Sequence, residues 1–288
     1  MSETTLISES KQVLTAGLKL FVDPNGSDET GQGTENNPFA TIDYAVVWAN
    51  SNYDFSEKFD LLVSVAPGTY DAVQIYGHNA RQVEIVGSPD NPGSVQIKPI
   101  RVEIFGSPDN PGSVQIKPFR EDADFGLAVS FYSSVIVRGL TLASVNVTGF
   151  SNLEIENCHL SPSTASPSLV FCSDHSTVVL ESALVKAGKI GNEQNSSCYK
   201  CELHSHVEVA EVDYEANVEC GIFCDARFFA SISLEADMDT KNNVKAMRLA
   251  RAIAKSIICD VDFFPEKGTQ PNIVNLGGEI GTIPDDQL

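Results

Sequence analysis

Residues 83–101 read VEIVGSPDNPGSVQIKPIR and residues 102–120 read VEIFGSPDNPGSVQIKPFR, a tandem repeat of nineteen residues. The copies differ at two positions, Val86 against Phe105 and Ile100 against Phe119. Each copy places one short alternating segment before the cluster Gly-Ser-Pro-Asp-Asn-Pro-Gly and another after it (Val83 and Ile85, then Val95 and Ile97). Proline and glycine at that density exclude a helix and mark a loop between strands. In most globular folds an insertion of this size displaces everything downstream. A solenoid accepts it, because an added coil lengthens the stack and leaves its neighbours' contacts unchanged. The two copies are therefore expected as two stacked rungs.

A weaker period continues to the C-terminal region. The segments 135–142, 153–160, 178–185, 207–214, 232–239 and 256–263 follow one another at steps of 18, 25, 29, 25 and 24 residues. Most are preceded by a shorter apolar partner: GLAVSF, SLVFC, SCYKC, GIFCDARF and AMRLARA. Short strands rich in Val, Ile, Leu and Phe, repeating at about two dozen residues, suit the coils of a parallel β-helix, with loops of unequal length leaving at the corners. A β-sandwich has similar strand spacing, but it does not readily absorb the duplication.

The open end of such a stack needs covering. Asn37-Pro38 reads as an N-cap followed by a first-turn proline, and Ile42, Ala45, Val46 and Ala49 then recur at i, i+3, i+4 and i+7. The chain divides accordingly into an N-terminal arm (1–17), a cap of strand, loop and amphipathic helix (18–60), the β-helix (61–263), and a C-terminal cap or oligomer contact (264–288).

A formal charge of −20 argues against nucleic acid and against anionic membrane surfaces as partners. No apolar run approaches the roughly 20 residues of a membrane helix. The N-terminus shows no signal peptide, and seven cysteines, an odd number, favour reduced thiols over a disulfide framework. No cofactor is expected.

Three constellations compete as sites. The fourth positions of the superposed strands form an outward row of Arg138, Glu156, Glu181, Ala210, Glu235 and Cys259. Rungs lie about 4.8 Å apart, so Glu156, Glu181 and Glu235 are the candidate acid–base carboxylates if the chain is an enzyme; the competing reading is a solvated acidic face. Cys198, Cys201, Cys220 and Cys224 have partly zinc-like spacing, with His204 and His206 nearby, but a ladder of buried thiols stacked inside the coils is the preferred reading and zinc the alternative. Tyr132, Tyr199 and Phe229 are candidates for a sugar-stacking surface, with Tyr70, Tyr76, Phe131 and Phe228 beside them, although rings inside coils are more often core. Loops 186–197 and 239–245 are the expected variable surfaces.

The segments Leu20-Phe-Val-Asp-Pro-Asn-Gly-Ser-Asp28, Gly31-Gln-Gly33 and Asn37-Pro-Phe-Ala-Thr-Ile42 resemble the opening of pectin-lyase-like right-handed β-helices, above all those of bacteriophage tail fibres and tailspikes. Ala66-Pro-Gly-Thr-Tyr70 resembles the family's turn out of the first coil strand. The resemblance implies a virion appendage protein without export signal, made in the host cytoplasm. It also implies a homotrimer contacting other tail proteins and host surface glycan, with a structural or receptor-binding role. A polysaccharide depolymerase, lyase or glycosidase, on the same scaffold is the alternative. The family's catalytic motifs are missing: Asp174-His175 is the lone Asp-His pair, and Gly77-His78-Asn79 departs from Gly-His-Gly. No catalytic residue carries over from the family.

Overall fold

The computed structural model describes residues 11–71, 73–76, 78–88, 90–91, 94–97, 126–192, 194–234, 240, 243–260, 264–265 and 273–281. Alternating apolar residues put one side of each strand inward, and successive strands of like pattern stack in parallel. The coils from Leu61 to Arg227 pass through three sheets, of ten, six and nine strands among the described residues, to form a right-handed parallel β-helix. The ten-stranded sheet begins at Leu18–Val22 and Leu61–Val65 and ends at Ile257–Cys259 and Glu279–Ile280. Within it Val63, Ile85, Val137, Ile155, Leu180, Val209 and Leu234 are paired rung to rung, and each is fully buried. Burying each such side chain contributes about 1.5–3 kcal/mol, so the interior row is the main adhesive of the stack.

The expected steps of 18, 25, 29 and 25 residues are the observed registers: Val135 pairs with Leu153, Leu153 with Val178, Val178 with Val207, and Val207 with Ile232. At the next step Ile232 pairs with Ile258, two residues later than the segment starting at Ser256 predicts. A slip of two preserves the inward face, which is why alternation alone does not detect it. Cys259 consequently pairs with Ser233 and leaves the predicted outward row.

Of the two rungs expected from the duplication, the described residues include only the first copy's. The first copy supplies Val83–Val86 and Val95–Ile97 to one rung. Val83–Val86 pairs with Leu61–Val65 on one edge and with Ser134–Arg138 on the other, so both of its edges are taken by these strands. Val95–Ile97 is likewise flanked by Gly68–Tyr70 and Thr141–Leu142. The second copy, 102–120, lies outside the described residues.

At the N-terminal end the helix Ile42–Asn52 buries Ile42, Ala45, Val46 and Ala49, the four predicted positions. Its N-cap is Thr41, not Asn37: the Thr41 hydroxyl accepts from the Tyr44 N–H at 3.2 Å. Asp28 fixes this start, accepting from the N–H groups of Ala40 and Thr41 and from the Thr41 hydroxyl at 2.8, 3.1 and 2.7 Å. Gly33 sits at φ +69°, and a Cβ there would lie 2.6 Å from the buried Phe39 ring. Gln12–Val13, inside the expected free arm, pairs with Tyr53–Asp54. Ile273–Leu276 and Glu279–Ile280, inside the expected C-terminal cap, extend the two long sheets instead.

Candidate functional site

Between 131 and 255, each passage from the nine-stranded sheet back to the ten-stranded sheet is a tight corner in the left-handed backbone region. It is occupied in turn by Phe131-Tyr132, Gly149-Phe150, Asp174-His175, Leu203-His204, Phe228-Phe229 and Ala254-Lys255, with φ from +54° to +68°. The backbone ladder continues around this corner. The N–H of Tyr132 donates to Gly149 O, that of Phe150 to Asp174 O, and that of His175 to Leu203 O, at 2.9, 2.8 and 3.0 Å. Just inside runs a row of buried serines. The N–H groups of Ser133, Ser151 and Ser176 donate to the hydroxyls of Ser151, Ser176 and Ser205 on the next rung at 3.2, 3.1 and 3.0 Å. Buried backbone donors at the corner are thereby satisfied without water.

The second residues of these corners form a continuous stack. Ring centroids are 5.2 Å apart from Tyr132 to Phe150, 4.8 Å from Phe150 to His175, 4.9 Å from His175 to His204, and 4.9 Å from His204 to Phe229. The planes are parallel to within 8°. The Lys255 ammonium lies 6.0 Å from the Phe229 centroid and closes the row. Tyr132 is 75% exposed and Phe229 52%. With Phe131, Phe150, Leu203 and Phe228, all more than 40% exposed, they make one apolar ridge parallel to the stack axis.

Two of the three sugar-stacking candidates, Tyr132 and Phe229, thus meet on this ridge. The third does not: Tyr199 is fully buried, and its hydroxyl bonds that of Tyr214 in the core. The ridge also differs from a sugar platform, because each inner ring has both faces covered by its neighbours and presents only its edge. The sequence reading left out Phe150 and weighed His175 only as part of an Asp-His pair and His204 only as a neighbour of the cysteines. Their signal was an aromatic residue immediately before the serine that opens each main strand: Phe150-Ser151, His175-Ser176, His204-Ser205.

On the outer face of the ten-stranded sheet Arg138 pairs with Glu156, and Glu156 with Glu181, as the outward row predicts. Glu235 lies outside the described residues. Glu154, unremarked in the sequence, completes the group: carboxylate oxygens of Glu154, Glu156 and Glu181 lie within 4.8 Å of one another. Arg138 donates to Glu156 (Nη2 to Oε1, 2.7 Å) and to Glu84. Its guanidinium holds the Glu156 carboxyl below its usual range. Glu154, sharing a hydrogen bond with Glu156 and partly desolvated beside it, is pushed up to about 7. Two neighbouring carboxyls with divergent affinities are the elements of acid–base chemistry.

The zinc alternative for Cys198, Cys201, Cys220 and Cys224 is corrected. All seven cysteines are buried, and Cys201 is paired in register with Cys172 on the preceding rung. Among the described residues these four cysteines do not converge as metal ligands; the one group that does is the glutamate trio. Burial pushes the Cys158 and Cys220 thiols up to about 12, which leaves them as small apolar filling. His204 is committed to the exposed stack, and His206 bonds the Ser231 hydroxyl at 2.8 Å.

No protein-family model matches the chain, and no curated protein matches it. Among solved structures, 97% of the chain aligns with 87% of the crystal structure of Escherichia coli YbhC, at 11% identity and a TM-score of 0.45. A likeness at that level carries no argument about function.

Proposed function

We propose that the chain is a non-enzymatic structural and receptor-binding component of a phage tail fibre or related virion appendage. In this reading a rigid rod offers surfaces rather than a reactive centre. The observation that supports it is the ridge. Bulky side chains in the left-handed region cost about 1–2 kcal/mol each, and exposed rings gain nothing from the core. Six of them in one line are both strained and solvent-facing, a combination that marks surfaces used for binding.

Receptor contact belongs to a different edge. Segments 161–167 and, among the described residues, 186–192 and 194–196, which include the short strand Gly188–Lys189, lie at the corner between the six- and nine-stranded sheets. The last is tied down where Arg251 donates to Asn195 Oδ1 at 3.2 Å while gripping the buried Asp225 through Nε and Nη2. Polar loops on a rigid stack suit a neutral or cationic glycan, since an acidic one is repelled by a chain of charge −20. Assembly as a homotrimer with other tail proteins belongs to the same proposal.

One observation favours a second reading. The split affinities of Glu154 and Glu156, with Glu181 within reach, fit a polysaccharide depolymerase. Both readings are tested by presenting the protein to an array of bacterial surface glycans and assaying the bound ones for chain cleavage. Binding without release of new chain ends is the expected result. Release abolished by Glu154→Gln or Glu156→Gln would establish the enzyme instead.

A further inference from the structure

We infer that the aromatic ridge is the contact through which copies of this chain associate side by side, with their stacks pointing the same way. The appendage reading supplies only the setting, since the occupant is argued from the ridge itself.

The ridge has a repeat of about 4.8 Å set by strand spacing. A second copy carries the same repeat, so every level of one ridge meets an equivalent level of the other. With aromatic side chains of about 150–250 Å² each, exposures of 41–75% on Phe131, Tyr132, Phe150, Leu203, Phe228 and Phe229 leave on the order of 600 Å² of apolar surface. That approaches the roughly 800 Å² per partner of a standard interface and reaches the upper end of the largest patch, about 300–600 Å², that a soluble monomer leaves open. Charge points the same way. On a chain of charge −20, the corner residues include one acid, Asp174, and one base, Lys255, so two copies approach here with little of their overall repulsion.

Direction follows from the two columns of the ridge. Copies related by rotation about a line parallel to the stack bring the first corner residue of one against the second corner residue of the next, level by level. Gly149 then leaves room opposite Phe150, Asp174 faces His175, and Phe228 faces Phe229. Oppositely directed copies centred on the ridge would match first column with first column in reverse order. Asp174 would then be buried against Leu203 twice over, a desolvated carboxylate with no partner. Parallel association is the arrangement that gives the Asp174 carboxylate a polar partner, His175 of the next copy.

All seven native cysteines are buried, so Phe150→Cys and Phe229→Cys, made separately, each carry one accessible thiol. In parallel copies each such thiol lies near its own counterpart, and a short bis-maleimide cross-links either variant to itself. In opposed copies only a mixture of the two cross-links. Sedimentation of the unmodified protein should give a species larger than one chain. The double variant Phe228→Asn/Phe229→Asn, whose asparagines suit the left-handed corner, should dissociate at least tenfold more readily while keeping its far-ultraviolet spectrum. A single-chain species at every concentration, cross-linking confined to the mixture, or undiminished association of the double variant would each overturn the inference. A monomer that still binds glycan removes the ridge contact and the homotrimer but leaves the receptor-binding role standing, and an associating protein that binds no glycan removes that role alone.

Discussion

At the residue scale the corner positions separate what the backbone requires from what function adds. Gly149 and Asp174 are suited to the left-handed region, whereas Phe228 at φ +58° is not. Phe228→Asn should therefore raise single-chain stability by about 0.5–1 kcal/mol, measured by denaturant unfolding below the association range. A drop in stability would mean that the ring is held by the fold and not displayed by it. The carboxylates make a separate prediction with a definite sign. Glu154 titrates at about 7 in the folded chain against 4.5 ordinarily, so between those values the folded state holds a proton that the unfolded chain has released. Its contribution is greatest below that window and is lost as pH rises through it. Glu154→Gln should therefore be more stable than the parent at pH 8, by under about 1 kcal/mol after solvent screening, with the difference fading toward pH 4.5. Melting curves across that range test it.

At the scale of elements the cap helix is the most explicit case. Its apolar stripe reads directly from spacing, but its first residue does not, because Asn37-Pro38 and Thr41 are both acceptable starts locally. Asp28, thirteen residues before Thr41, decides between them by taking three donors at the helix entrance. Asp28→Ala should cost about 1–2 kcal/mol in thermal or denaturant unfolding. An Asp28→Asn variant, which keeps one acceptor, should lose less. The main strands were legible because each repeats an inward alternation that survives loops of any length. The two-residue strands of the six-stranded sheet, such as Thr141–Leu142 and His159–Leu160, are too short to show a period and exist only through their neighbours.

For the whole molecule the duplication is the decisive region. Since the first copy's strands are already paired on both edges, removal of 102–120 leaves every described rung with its partners. The shortened chain should keep its far-ultraviolet spectrum and melt within a few degrees of the parent. Collapse of the fold on that deletion would show that the second copy contributes a rung after all.

Stacking geometry explains what could be read in advance and what could not. Inward alternation, rung spacing and the apolar face of the cap helix are local properties of consecutive residues, and from these the parallel β-helix and the row Arg138, Glu156, Glu181 followed. Alternation cannot distinguish registers two residues apart, which is why Cys259 was misplaced, and it does not say which of two nearly identical segments fills a rung. Nor does it reveal proximity between residues 18 to 29 positions apart at the corners. Tyr132, Phe150, His175, His204 and Phe229 become one surface only when rungs of unequal length close on a common axis. Glu154 joins Glu156 and Glu181 for the same reason: side chains that share a face of one strand meet those of the next only after the chain has gone once around.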